Sequence, residues 1–225
     1  MSASAAIAAH YPVTWLARLA SVIAKHPSYN LFQLATVEDT IPRVRTVVHR
    51  AFLKPETLNP LLLVTTDVRM PKSAQIADND NVELAWYIEP TMEQFRIFGK
   101  ASLVPHPKHT ARGASDLPTD VDWAAERANI FNTVSGAIRA SWCRPTPGSK
   151  LDEPEVAWPT HLPRLTDLDG ADEVTREQTQ RAFENFALLV ISPLSVDYVE
   201  LKPVPNLRTK FEFREGEWTA TPLVP

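Results

Sequence analysis

The chain has 225 residues, of which 44% are hydrophobic and 22% are charged, so it is long enough to build one sizeable core. Its formal charge of −4 argues against sequence-independent nucleic-acid binding, which needs a basic face. The single cysteine, Cys143, excludes an intrachain disulfide, and no Cys/His spacing suits zinc, so no metal site is predicted.

The N-terminal region carries no clear targeting signal. Residues 5–9 are apolar, but the stretch is short and has no basic residues before it, so a signal peptide is not expected. No stretch approaches the ~20 apolar residues that a membrane-spanning helix requires. Together with the single cysteine, these features favour a soluble cytoplasmic protein that does not bind membranes.

The first half of the chain reads as one helix followed by short strands. Trp15, Leu16 and Leu19 recur at helical spacing within residues 14–25, and the helix should end at His26-Pro27. A helical turn is predicted over residues 74–79, and loops over 54–60 and 89–93. Strands are predicted at 31–37, 43–52, 61–66, 82–88 and 94–104.

The second half of the chain begins with helices and returns to strands. One or two helices are predicted between residues 120 and 142, and a charged, proline-rich loop excursion covers 149–181, with a short helix near 173–185. The final strands are predicted at 186–192, 195–201, 210–214 and 218–223. No helix before residue 120 could cross over between parallel strands, so we predict a mainly antiparallel barrel or sandwich. The whole chain is interpreted as one domain with an insertion at about 119–185.

Cationic residues cluster between residues 42 and 99, although the chain is acidic overall. Thr65 and Thr66 end a predicted strand and are followed by a turn that carries Arg69 and Lys72. Hydroxyls, backbone N–H groups and fixed positive charges can surround a phosphate. The alternative is that the threonines are ordinary strand formers and the cations lie on the surface. The cluster consists of Arg43, Arg45, Arg50, Arg69, Lys72 and Arg96.

Several catalytic motifs are absent from the sequence. There is no G-x-G-x-x-G after a strand, no P-loop and no G-x-S-x-G. Cys143 is interpreted as a small buried hydrophobic residue rather than as a nucleophile. The histidines are scattered, and no proton-transfer residue is assigned.

Six segments and Asn79 together carry a family resemblance: residues 42–50, 64–76, 93–99, 144–148, 196–201 and 206–208. Taken in order, they resemble the pyridoxamine 5′-phosphate oxidase family, and more closely its flavin-binding branch from fungi and cyanobacteria. The resemblance spans roughly residues 14–223.

This resemblance implies a split β-barrel that forms a homodimer, with FMN bound in clefts between the subunits. Arg45 and the three residues after it would lie along the isoalloxazine and phosphate, and Lys72 matches the phosphate lysine. Gln94 matches a glutamine that contacts FMN across the dimer, and Arg69 would supply a further guanidinium. The implied cofactor-binding residues are Arg45, Thr46, Val47, Val48, Arg50, Thr65, Thr66, Arg69, Lys72, Gln94 and Ser141.

The sequence also departs from the parent oxidases. Their C-terminal Arg-Leu-His-Asp-Arg segment, which grips pyridoxine phosphate, is reduced here to Arg208, and Val199 replaces a tryptophan that faces the flavin. The resemblance therefore implies FMN binding more directly than it implies recognition of pyridoxamine phosphate. The first hypothesis is an FMN-dependent oxidase of pyridoxamine or pyridoxine phosphate, or of a related amine or alcohol, with Arg208, Arg139 and Arg50 as candidates for binding substrate phosphate. One alternative is an FMN-binding protein without that activity, and another is a structural barrel without a cofactor.

Overall fold

The structure is a computed structural model that describes residues 14–109, 117–151 and 157–225. Its helices are α1 (Thr14–Lys25), α2 (Pro71–Asp78), α3 (Trp123–Thr133), α4 (Gly136–Ser141) and α5 (Glu173–Asn185). Its strands are β1 (Leu31–Glu38), β2 (Ile41–Leu53), β3 (Leu61–Asp67), β4 (Asn81–Ile88), β5 (Glu93–Val104), β6 (Phe186–Glu200), β7 (Leu207–Arg214) and β8 (Glu217–Leu223).

The strands form one sheet in the order β3-β2-β1-β4-β5-β6-β7-β8, and β3 also pairs with β6. Pairing is antiparallel between β2 and β3, β1 and β2, β1 and β4, and β4 and β5. It is also antiparallel from β6 to β7 and from β7 to β8. The prediction of a mainly antiparallel β protein with added helices is confirmed.

The chain divides into two compact units. Among the described residues, the first unit holds those from Thr14 to Val64 together with Asn79–Ala101 and Val190–Pro225. Its core lies under one face of the sheet, because the strands alternate between buried and exposed residues. In β4, for example, Leu84 and Trp86 are fully buried, whereas Ala85 and Tyr87 are exposed. The helix α1 buries Trp15, whose ring lies 5.4 Å from that of Trp218 in β8.

The second unit holds Thr65–Asp78 and Ser102–Leu189. Its core is aromatic: the Phe131 ring centroid lies 5.7 Å from that of Trp142, and Trp142 lies 4.7 Å from Phe186. The Arg127 guanidinium lies over the Phe183 ring, 3.9 Å from its centroid, and donates to the Phe186 carbonyl. Burial lowers the pKa of Arg127 to about 10.

Two element boundaries differ from the predictions. The short helix starts at Pro71 rather than at Ala74, because proline is preorganised for the first helical position. Of the predicted alternatives of one or two helices between residues 120 and 142, the structure has two, and the second begins after Ser135, whose hydroxyl accepts a hydrogen bond from Ile138 N and caps α4. The two strands predicted around Pro193 are one strand, and because its pairing with β7 starts at Ser195, the missing N–H of Pro193 lies outside that ladder. None of the helices in the described ranges is long and apolar enough to cross a membrane.

Candidate functional site

The first candidate region is the exposed face of β2, β1, β4 and β5, which we call the outer face. Directly paired residues of antiparallel strands share a face. One row of paired residues on this face runs from Thr46 through Gln33 and Ala85 to Arg96. A neighbouring pair joins Tyr87 and Gln94. The large apolar side chains exposed on this face are Leu31, Val44, Tyr87 and Phe98, with 38–64% of their surface accessible.

The outer face carries only some of the sequence-predicted cofactor residues of the first unit. Thr46 and Val48 alternate onto it from β2 and Gln94 from β5. Arg45 and Val47 lie on the opposite face, since they pair with the buried residues Leu34 and Phe32. The four consecutive residues 45–48 therefore divide between two faces of one strand.

Arg45 is held in place by β1. Its Nη1 donates to Thr36 Oγ1 at 2.6 Å and to the Leu34 carbonyl at 3.2 Å. Partial burial lowers the pKa of Arg45, and Glu38 opposes that effect. Burial also lowers the pKa of Arg50. A desolvated guanidinium gains more from a nearby anion than a fully hydrated one does.

The second candidate region is the junction between β3 and α2 in the second unit. Thr66 is buried, and its hydroxyl donates to the Asp67 carbonyl at 3.2 Å, while Thr65 is half-buried. Lys72 is the second residue of α2 and is buried, with its Nζ 2.6 Å from Met70 Sδ. Hydroxyls near the end of a strand, followed by a helix N-terminus with a buried ammonium, are groups that are chemically suited to bind phosphate.

Arg69 lies at the same junction, but its guanidinium is bound within the protein. Its Nε and Nη2 donate to the two carboxylate oxygens of the fully buried Asp67, at 2.9 and 2.6 Å. Nη2 also donates to the carbonyls of Trp142 and Arg144. Because removing this arginine would leave a buried carboxylate without its counterion, the pairing favours a structural role for Arg69.

Ser141 and Arg139 lie on α4 but have different surroundings. The Arg139 side chain is buried, and its guanidinium donates to the carbonyls of Leu162 and Val134, so its environment is that of a structural residue. Burial lowers the pKa of Arg139. Ser141 is half-buried, and its hydroxyl donates to the Ile138 carbonyl at 2.6 Å.

Ser141 also lines a cavity of about 760 Å³ in the second unit. The cavity wall combines aromatic side chains with Arg144, whose guanidinium carbon lies 5.7 Å from the Trp158 ring centroid. Sequence reasoning did not single out these two residues as part of a site, although residues 144–148 contributed to the family resemblance. Further lining residues include Asp67, Met70, Trp142 and Leu151.

Arg208 belongs to a cluster of three charged side chains, which we call the Asp197 cluster. Arg208 Nε and Nη2 donate to the two Asp197 carboxylate oxygens at 2.9 and 2.7 Å. Arg96 Nη2 donates to the same carboxylate. These bonds, led by that from Arg208, hold the pKa of Asp197 below its usual range. The sequence predicted Arg208 but not Asp197, which lies eleven residues earlier on a different strand.

No group of three or more His, Cys, Asp or Glu side chains within the described residues could hold a metal ion.

Comparison with known proteins gives a consistent family resemblance. Residues 12–105 match the family model described as pyridoxamine 5′-phosphate oxidase, FMN-binding domain. Pyridoxine/pyridoxamine 5′-phosphate oxidase 2 of Arabidopsis thaliana is 28% identical over 178 residues, which cover 79% of this chain and 75% of that protein.

Two solved structures are similar over almost the whole chain. A pyridoxamine 5′-phosphate oxidase-related, FMN-binding protein from Nostoc punctiforme superimposes with a TM-score of 0.70 at 26% identity, covering 95% of this chain and 98% of that one. PhzG from Burkholderia lata, solved with tetrahydrophenazine-1-carboxylic acid, gives a TM-score of 0.65 at 13% identity, with 96% and 93% covered, and this likeness concerns the fold alone. These comparisons confirm the family resemblance seen in the sequence and indicate FMN as the cofactor.

Proposed function

We propose, on the premise that this chain is a member of the pyridoxamine 5′-phosphate oxidase-like FMN-binding family, that it is an FMN-dependent oxidoreductase that works as a homodimer. The observation that carries the proposal is the position of Thr46, Val48 and Gln94 on the outer face, among exposed apolar side chains. The pairing of β3 with β6 supports closure of the sheet into the split barrel that the resemblance implies.

The donor groups of the second unit suit the phosphate of FMN. Lys72 offers a buried ammonium at the start of α2, where the helix N-terminus also favours negative charge. Thr65 adds a hydroxyl. The hydroxyls of Thr66 and Ser141 donate to the carbonyls of Asp67 and Ile138, so each would have to rotate to donate to a phosphate. Arg69 is assigned less weight as a phosphate ligand because Asp67 occupies its guanidinium.

The resemblance also assigns residues of β2 and β5 to FMN, those of β2 along its isoalloxazine ring and phosphate. Thr46 of β2 and Gln94 of β5 can donate hydrogen bonds on the outer face. Arg45 and Arg50 bring positive charge to β2. When bound, FMN supplies two-electron redox chemistry, and the protein orients it and adjusts its electrostatics. A cation near the ring would favour the acceptance of electrons. Because Arg45 lies on the opposite face of β2 from Thr46, its assignment to this role rests on the family resemblance.

FMN affinity tests these assignments. Apoprotein titrated with FMN, followed by quenching of flavin fluorescence, should show that Arg45→Ala and Lys72→Ala each weaken binding by about 1.5–3 kcal/mol, the scale of hydrogen bonds to charged groups. Lys100→Ala is a matched control, because the Lys100 ammonium pairs with the Asp80 carboxylate at 2.6 Å and Lys100 is not one of the proposed FMN ligands. Unchanged affinity in both test variants would contradict the assigned site.

The homodimer is proposed from the exposed apolar side chains of the outer face, since such a surface is typical of a protein–protein contact. Sedimentation analysis should give a dimer for the wild type, and Val44→Lys should dissociate it. Val174→Lys is the control, because Val174 on α5 is exposed to a similar extent, 61% against 64% for Val44. A wild-type monomer, or equal effects of the two variants, would refute the assigned interface.

Two hypotheses for the activity of this protein are compared. In the first, it oxidises pyridoxamine or pyridoxine 5′-phosphate, or a related amine, with O₂ as acceptor. In the second, it binds FMN but lacks that activity, which is favoured by the internal contacts of Arg139 and Arg208, the residues predicted to bind substrate phosphate. Anaerobic mixing of holoprotein with pyridoxamine 5′-phosphate separates them, because only the first reading predicts loss of the oxidised flavin absorbance.

A further inference from the structure

The Asp197 cluster has an arrangement of charges that restricts what it can bind. Two guanidiniums face one carboxylate, so the three side chains carry a net charge of +1. Lys210 pairs with Asp197 in the strand register, but its ammonium lies 3.3 Å from Glu212, which offsets its charge. All three members of the cluster remain partly accessible, with 17–39% of each side chain exposed.

One donor of the cluster lacks an acceptor. Arg96 Nε is buried and has no hydrogen-bond partner among the described residues, although Nη2 of the same guanidinium is bound to Asp197. Buried polar groups are normally satisfied, so an orphan N–H beside a net positive charge indicates a place for an anionic acceptor. A planar carboxylate matches the geometry of a guanidinium edge.

The position of Arg96 relates the cluster to the proposed cofactor residues. Gln94 and Arg96 are two residues apart on β5, so both side chains lie on the outer face, roughly 7 Å apart along the strand. A small ring carrying a carboxylate could therefore contact Arg96 with the carboxylate and reach the neighbourhood of Gln94 with the ring.

We infer that the Asp197 cluster binds the carboxylate of a small organic monoanion in preference to a phosphate ester, and that Asp197 is the residue that sets this preference. The inference rests on the proposed function, because it names the substrate class of the same outer face. A net charge of +1 attracts a dianion about twice as strongly as a monoanion, but the hydration free energy that the ligand loses on binding grows with the square of its charge. Because Asp197 cancels one of the two arginine charges, the cluster cannot compensate the larger desolvation cost of a dianion, and a monoanion is favoured. The parent oxidases bind pyridoxine phosphate with a C-terminal segment of which Arg208 alone is kept here. Because Arg208 is paired with Asp197, the preferred ligand would change from a phosphate ester to a carboxylate.

Ligand-observed NMR titrations of the FMN-loaded protein test this inference with benzoate and phenyl phosphate as probes. At pH 8 phenyl phosphate is a dianion, because the second pKa of a phosphate ester is about 6. The wild type should bind benzoate more tightly than phenyl phosphate. Arg96→Gln and Arg208→Gln should each weaken benzoate binding by about tenfold or more, the scale of a lost charge-assisted hydrogen bond.

The variant Asp197→Asn provides the sharper test. It removes the negative charge while keeping the side-chain shape, so the ratio of phenyl phosphate to benzoate affinity should rise by about tenfold or more. Lys100→Gln is the control, because Lys100 lies on β5 with Arg96 but pairs with Asp80. This variant should leave the affinities for benzoate and for phenyl phosphate unchanged. Circular dichroism and FMN titration of each variant show whether fold and cofactor binding are retained.

Three results would overturn the inference: tighter binding of phenyl phosphate than of benzoate by the wild type, unchanged benzoate binding in Arg96→Gln, or an unchanged ratio in Asp197→Asn. Failure of the proposed function is a separate result, because it would appear as absent FMN binding in the wild type. In that case, benzoate binding is measured on the apoprotein. Weaker binding by Arg96→Gln than by the wild type would support the carboxylate site, and equal binding would refute it.

Discussion

Lowering the pH should destabilise this protein through His49, a core residue of β2. The imidazole is buried and packs between aromatic rings, 4.3 Å from Phe52 and 5.2 Å from Trp86 between centroids. Its Nδ1 has no hydrogen-bond partner among the described residues. Burial, assisted by the positive charge of Arg50, lowers the pKa of His49 from its ordinary 6.5 to about 4. His49 is therefore neutral in the folded protein at neutral pH.

The loss of stability at low pH can be calculated from the difference between the pKa of His49 in the unfolded chain and in the folded protein. Below pH 6.5 the unfolded chain takes up a proton at His49, whereas the folded protein does so only near pH 4. The unfolded state binds more protons in this window, so stability falls as the pH falls. A difference of about 2.5 pKa units corresponds to about 3 kcal/mol, since each unit is worth 1.36 kcal/mol. This contribution is fully present above pH 6.5 and is lost by about pH 4.

Urea unfolding of the apoprotein at fixed protein concentration, from pH 8 to pH 4, measures this contribution. His49→Phe keeps an aromatic ring in the core but cannot bind a proton. Between pH 8 and pH 4, the wild type should therefore lose about 3 kcal/mol more of its free energy of unfolding than this variant does. His26→Gln, in the turn after α1, should retain the wild-type slope. If His49→Phe and the wild type lose stability in parallel, the neutral buried imidazole is refuted.

Two further predictions concern hydrogen bonding and packing in the first unit. Tyr198→Phe should lower the free energy of unfolding, measured by urea titration, by about 1.5–3 kcal/mol, because the Tyr198 hydroxyl donates to the buried Glu93 carboxylate. The control Tyr87→Phe, on the exposed face, should change that free energy by less than about 0.5 kcal/mol. Gly99→Ala should cost about 1–3 kcal/mol, measured as a lower thermal midpoint, because an added Cβ would overlap the Ser192 carbonyl oxygen; an unchanged midpoint would contradict this contact.

The elements that sequence reasoning located best are those whose signals are local. The strand at 82–88 is predicted from the alternation of buried and exposed residues within the segment itself. The helix predicted near 173–185 is α5, and the contact that caps it is also local, since the Asp172 carboxylate accepts from Thr175 N at 2.8 Å. The continuity of β6 through Pro193 depends instead on which strands lie beside it, and that information is not contained in the segment itself.

The same distinction applies to the candidate site. The sequence identified Arg69, Arg139 and Arg208 as cations, but it did not reveal their partners. Asp67 lies near Arg69 in sequence and offered a signal that could have been used, whereas Arg96 and Asp197 are 101 residues apart. A cation paired inside the protein and one available to a ligand look alike in a sequence, because the difference depends on long-range pairing.

The arginines differ in how the protein compensates their charge, and this difference ranks them as ligands for FMN. The Asp197 carboxylate raises the pKa of Arg208 and compensates part of the charge of the Asp197 cluster, so Arg208 is assigned to the proposed carboxylate site and not to FMN. For Arg45 and Arg50, burial is the main influence and lowers the pKa, so a bound anion would restore part of the lost hydration. Arg69 is committed to the buried Asp67 carboxylate. FMN affinity should consequently depend on Arg45 more than on Arg69, and substitution of Arg69 should act first on the stability of the second unit.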